Sequence, residues 1–91
     1  MKTFADIKWK SHKSDPKAIQ GLLSLSGGAE LSVVAGDWMY STPKKSLGNP
    51  DLHSSFEVAV IDQNGDFEVL GDDLVLGWQS RDDINALLSN Y

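Results

Sequence analysis

Ninety-one residues with 41% hydrophobic content support one modest core, expected as a single domain over 1–91, and exclude the composition of a disordered chain. The absence of cysteine excludes a disulfide scaffold, a Cys-ligated zinc site and a thiol nucleophile, and fits a reducing cytoplasm. The net charge of −5 is lopsided: residues 1–50 hold seven lysines against four acids, whereas residues 51–91 hold Arg81 alone against nine acids. An acidic half of this kind is unsuited to phosphate contacts, so no direct nucleic-acid binding is expected, and it suits a partner with a basic surface. Ordinary solubility is a sufficient alternative reason for the acids.

Behind Lys2 there is no apolar run of signal-peptide type. No stretch approaches the ~18 apolar residues of a spanning helix, and the longest candidate, 73–78, is far shorter. A soluble protein without a membrane role is expected. Ile7 and Trp9 share one face of an extended segment while Lys8 and Lys10 take the other. The polar stretch 11–17, with Pro16, reads as a loop.

Two apolar runs, 18–25 and 29–35, flank Ser26-Gly27-Gly28. Ile19, Gly21, Leu23 and Leu25 fall on one face, as do Leu31, Val33 and Ala35, and the glycines supply the positive φ of a tight hairpin. A helix over 18–25 is the rival reading, disfavoured by the flanking glycines and by Val33-Val34.

Residues 36–55 show no period and are broken by prolines, glycines, serines and threonines. Connections of this length are uncommon in compact domains unless they work or are disordered. Trp38, Met39 and Tyr40 lie close to Lys44 and Lys45, and aromatics beside cations are typical of binding hot spots. Equally, Trp38 and Tyr40 extend the preceding strand into the core.

A second hairpin is predicted from Phe56, Val58 and Val60 on one arm and Phe67 and Val69 on the other, joined at Asn64-Gly65. Both phenylalanines are expected to face the core, with Glu57 and Glu68 outward. At the C-terminal end, Ser80 is the expected N-cap and Asp83 its capping-box partner, with Asp82 and Asp83 at the positive end of the helix dipole. Ile84, Leu87, Leu88 and Tyr91 form one apolar stripe that needs a sheet to dock on. The expected fold is therefore α+β: a four- to five-stranded antiparallel meander packed by one C-terminal helix.

Signals for chemistry are weak. Asp62, Asn64, Asp66 and Glu68 invite a calcium reading, but the glycine falls too early for an EF-hand loop and the hairpin turn accounts for it. Asp72-Asp73 and Asp82-Asp83 are neighbours in sequence, not two acids across a cleft; either pair is a candidate for part of an acidic recognition patch. His12 and His53 read as exposed bystanders in polar loops. With no nucleophile elbow and no phosphate loop, neither enzymatic activity nor any metal or cofactor is expected.

The motif order from Gly27-Gly-Ala-Glu-Leu-Ser-Val-Val-Ala-Gly36 through Tyr40, Phe56-Glu-Val-Ala-Val-Ile-Asp62, Val75-Leu-Gly-Trp78 and Asp83-Ile-Asn-Ala-Leu-Leu88 resembles a family of small phage and prophage accessory proteins. The chain departs from that family in its longer lysine-bearing loop and in Trp78, where the family more often has Tyr. The family has no assigned activity, so no site carries over. The resemblance implies a phage-encoded protein in the bacterial cytoplasm and, by analogy with anti-CRISPR proteins, a stoichiometric inhibitor of a host defence component. The expected contact residues are Trp38, Tyr40, Lys44, Lys45, Asp72 and Asp73. A small anionic-ligand or nucleotide module and an oligomerising phage component are the alternatives.

Overall fold

Alternating apolar residues dictate the sheet. In a computed structural model, which describes residues 2–91, β1 (Lys8–Ser11), β2 (Ile19–Ser24), β3 (Glu30–Ala35), β4 (Phe56–Ile61) and β5 (Leu76–Gln79) form one antiparallel sheet in sequential order. Helix α1 (Arg81–Leu88) follows β5 directly. The protein is α+β, a five-stranded meander with one C-terminal helix.

The strands of the first hairpin pair as their spacing predicts, with Ile19 opposite Ala35, Gly21 opposite Val33 and Leu23 opposite Leu31. Leu31 and Val33 in turn oppose Val60 and Val58. These residues line the core face, and the helix lays Ile84 and Leu88 on it, both fully enclosed. Each such side chain contributes at most about 1.5–3 kcal/mol. Gly21 is required by contact, since a Cβ there would sit 2.3 Å from Ile7 Cγ2 and 2.9 Å from the Trp9 ring. The Ser80–Asp83 capping box forms as expected. Tyr91 departs from the expected stripe: it lies beyond the helix end, exposed, with its hydroxyl donating to Glu68 at 3.0 Å.

The second hairpin is the main correction. Its turn forms, with Gly65 at φ 86° and the Asp62 carboxylate accepting from the Asn64 and Asp66 N–H groups. The returning strand, however, is split. Phe67 bridges Ile61, then the chain loops out, and only at Leu76 does it rejoin β4 opposite Val58. The looped-out part closes on itself through paired Leu70 and Asp73 backbone hydrogen bonds around Gly71, φ 67°. Phe67 and Val69 are exposed rather than in the core. Phe67 fails to join Phe56 in the core because its bridge partner is Ile61, which lies on the face of the sheet opposite Phe56, and paired residues share a face.

Residues 36–55 are held by side chains at both ends. Ser46 Oγ donates to Asp15 at 2.6 Å and accepts from the Asp37 N–H at 3.0 Å, while Thr42 pairs with Ser55. Arg81 donates to the His53 carbonyl at 2.8 Å and the Pro50 carbonyl at 2.9 Å, its guanidinium 4.9 Å from the Phe4 ring centre and 5.3 Å from that of Phe56. Charge-assisted hydrogen bonds of this kind are worth roughly 1.5–3 kcal/mol each before context. Arg81→Ala is expected to destabilise the protein by about 2–4 kcal/mol in urea titration. Arg81→Lys should recover less than half, because an ammonium has no fork to span two carbonyls.

Candidate functional site

The helix covers one face of the sheet. The opposite face carries Lys8 and Lys10 at its β1 edge, then Gln20, Leu22, Ser32 and Val34, then Glu57, Ala59 and Ile61 on β4, as the register requires. Toward the β4–β5 side this face hollows into a cleft of about 250 Å³, with Val34, Ala59, Ile61 and Val75 as apolar walls. Phe67 stands at its rim, half-exposed, and His12 and Gln20 line the far side. Gln20 Nε2 is occupied by a bond to Ser32 Oγ at 3.3 Å, and His12 Nδ1 accepts from the Ser14 N–H at 3.1 Å.

Glu57 is the acid of this cleft. Because Phe56 pairs with Gln79 and Val58 with Leu76, two residues, Gly77 and Trp78, oppose Glu57 alone. That is a β-bulge, and such bulges re-aim side chains. Trp78 takes φ 52°, a strained value for a bulky side chain, and its ring lies 5.0 Å from that of Tyr40 at 33°. Its N–H donates to the Tyr40 carbonyl at 2.8 Å. Tyr40 sits directly on Gly77, where a Cβ would approach the Tyr40 Cβ to 2.8 Å. The Lys44 ammonium lies 5.3 Å from the Tyr40 ring centre. Burial raises the Glu57 carboxyl above its usual range, opposed by the Tyr40 backbone N–H and, through space, by Lys44 and His12.

The sequence-derived residues separate into three places. Tyr40 and Lys44 stack together at the Glu57 end of the cleft, and Lys45 is exposed one residue on. Trp38 tops the 36–39 turn, 86% exposed, while Met39 is buried. The tryptophan therefore does not continue β3 into the core. Asp72 and Asp73 are exposed in the looped-out turn, beside exposed Val69 and Leu74. Sequence reasoning missed Glu57, Phe67 and Trp78 as a group. The one available signal was Gly77 within an otherwise strand-like run, which often marks a bulge.

No family model, curated protein or solved structure matches the chain. The site is therefore read from its own geometry. Among the described residues there is no cluster of three or more His, Cys, Asp or Glu side chains able to hold a metal ion. Among the described residues no helix is long and apolar enough to cross a membrane.

His53 corrects the expectation of an exposed bystander. It is 2% exposed, its ring 6.0 Å from that of Phe56, and neither ring nitrogen has a hydrogen-bond partner among the described residues. Burial lowers its pKa from the ordinary 6.5, the nearby Thr42 and Pro43 carbonyls oppose that, and the Arg81 charge adds to it. Because the folded pKa is depressed, the unfolded chain binds the extra proton first as the pH falls. The His53 contribution is thus complete above about pH 6.5 and is lost progressively below it. Urea midpoints for the protein and for His53→Phe at pH 7.5, 6.5 and 5.0 should converge or cross because only the parent loses stability on this account. Parallel pH profiles would show that His53 does not titrate this way. The raised Glu57 pKa acts with the opposite sign but is common to both proteins and cancels in the comparison.

Proposed function

We propose that the protein is a non-catalytic binding protein, encoded by a phage or prophage and acting in the bacterial cytoplasm as a stoichiometric inhibitor of a host defence protein with a basic surface. The observation that carries the binding reading is the looped-out segment between the two halves of the returning strand. It exposes Val69 and Leu74 beside Asp72 and Asp73, and its neighbours Phe67 and Trp78 are also exposed. From 62 to 78 the chain holds Asp62, Asp66, Glu68, Asp72 and Asp73 and no cation. Apolar side chains held in water among acids suit an interface whose partner brings cations and apolar pockets. The Tyr40–Trp78 stack supplies the rigid aromatic contact area typical of hot spots. Phage origin and the defence target rest on the family resemblance.

A specific feature favours one alternative: Lys44 over Tyr40, stacked on Trp78, resembles a grip for a small anionic ring compound such as a nucleotide. Affinity capture from host lysate, followed by binding of the purified captured protein to the parent and to the Asp72→Lys/Asp73→Lys variant, tests the main reading. The variant is expected to lose roughly tenfold or more in affinity and most of the salt dependence. Unchanged binding sinks it. A thermal-shift screen against nucleotides is expected to be flat. A rise that grows with the logarithm of ligand concentration, reaching about 2.7 kcal/mol at about a hundred times Kd, and that Lys44→Ala abolishes, would favour the alternative.

A further inference from the structure

The cleft on the open face of the sheet has apolar walls and a single carboxylate, and its occupant can be stated chemically. Glu57 enters it from β4 opposite the Gly77–Trp78 bulge, so its position is fixed by strand pairing and not by a mobile loop. Val34, Ala59, Ile61 and Val75 give it an apolar lining, and Phe67 lines it while remaining half-exposed. The charges that face Glu57 are few. Lys44, from the 36–55 segment, is drawn over the Tyr40 ring, and His12, next to the end of β1, acts only through space. Lys10 lies in the same register row three strands away. The Tyr40 backbone N–H is near enough to Glu57 to favour its charged form. The carboxylate therefore has open acceptor positions in a partly buried place, where a cation with several donors gains more than it would on the open surface.

We propose that this cleft is a socket for one arginine side chain of the basic partner, whose guanidinium pairs with Glu57 and stacks on Phe67 while its methylenes lie on Val34 and Ile61. This rests on the partner-binding reading above and names the contact at its centre. Arginine fits better than lysine because the planar fork is bidentate to a carboxylate, stacks on an aromatic face and is less strongly hydrated. The five acids from Asp62 to Asp73 would draw such a side chain toward the cleft before it docks.

The test needs no partner. Isotope-labelled protein is titrated with Nα-acetyl-L-arginine methylamide, and in parallel with the citrulline equivalent, which keeps the shape but not the charge. The arginine probe is expected to shift the backbone amides of Glu57, Ala59 and Phe67 with an affinity on the order of millimolar, as befits a single side chain. The citrulline probe should be roughly tenfold weaker or more, and Glu57→Gln should bring the two probes together. Glu57→Gln is nearly isosteric, and an unchanged amide spectrum away from the cleft confirms that it folds. Equal binding of both probes, or arginine binding that survives Glu57→Gln, overturns the socket. A lysine analogue that binds as tightly as the arginine probe overturns the assignment to arginine. If a purified partner loses affinity for Asp72→Lys/Asp73→Lys but not for Glu57→Gln, the socket falls while the binding function stands. If neither variant matters to the partner, both fall.

Discussion

One cation joins the parts of this small protein that a meander alone would leave loose. Arg81 opens α1, and its guanidinium lies against the Phe4 and Phe56 rings while donating to the carbonyls of His53 and Pro50. A single side chain thus links the helix start, the N-terminal turn, the first residue of β4 and the end of the long 36–55 segment. It is the chain's only arginine, and no lysine elsewhere has a comparable set of partners among the described residues. The geometry depends on the fork, since two carbonyls three residues apart are reached from one rigid plane. The neighbouring His53 ring contributes to the same corner by filling space. Its unpartnered nitrogens are tolerated only while it is neutral, so this corner of the fold carries a pH dependence of its own.

With that corner fixed, β4 becomes the strand on which the rest is arranged. Its outer edge is too long for β5 to cover. Phe67 and Glu68 pair at one end, with the Glu68 N–H donating to the Val60 carbonyl at 2.8 Å, and Leu76 to Gln79 pair at the other. The surplus chain has nowhere to pack and is closed into the Leu70–Asp73 turn. At the second junction the bulge opposite Glu57 turns Trp78 out and brings it onto Tyr40. The acidic turn and the aromatic stack therefore have a common origin in how β4 is shared. The cleft lies between them, with Phe67 and Val75 on its lining and Glu57 at the bulge.

Local signals made most of the architecture legible before any coordinates. The Gly27-Gly28 hairpin, the alternation of β2, β3 and β4, and the Ser80 capping box each rest on residues close in sequence, and each forms. What was not legible depended on distant pairing. Phe67 and Val69 alternate correctly for a strand, but whether a strand forms there is decided by β5 competing for the same edge. His53 sits in a polar stretch, and nothing near it foretells enclosure by Phe56 and the Arg81 corner. Glu57 looked like any outward acid, because its importance comes from the bulge across from it. Trp38 and Tyr40, level in the sequence reading, part company for a similar reason: Tyr40 has Gly77 and Trp78 to lie on, and Trp38 has no such seat.

Glu57 also bears on what kind of chemistry the cleft suits. General acid–base work needs a second group within about 2.6–3.2 Å of the proton in transit, and a pair whose environments push their pKa values apart. Here the other titratable side chain of the cleft, His12, has one ring nitrogen engaged by the Ser14 N–H and meets Glu57 only through space. The cleft is shallow and open to solvent, its walls are apolar, and the backbone beneath Glu57 is part of a paired strand. A carboxylate set rigidly in that way is suited to holding a cation in one orientation. Trp78 is held at φ 52° across from Glu57, a left-handed value that costs a bulky residue stability, and the bulge that imposes it is the one that sets Glu57 apart from its neighbours on β4.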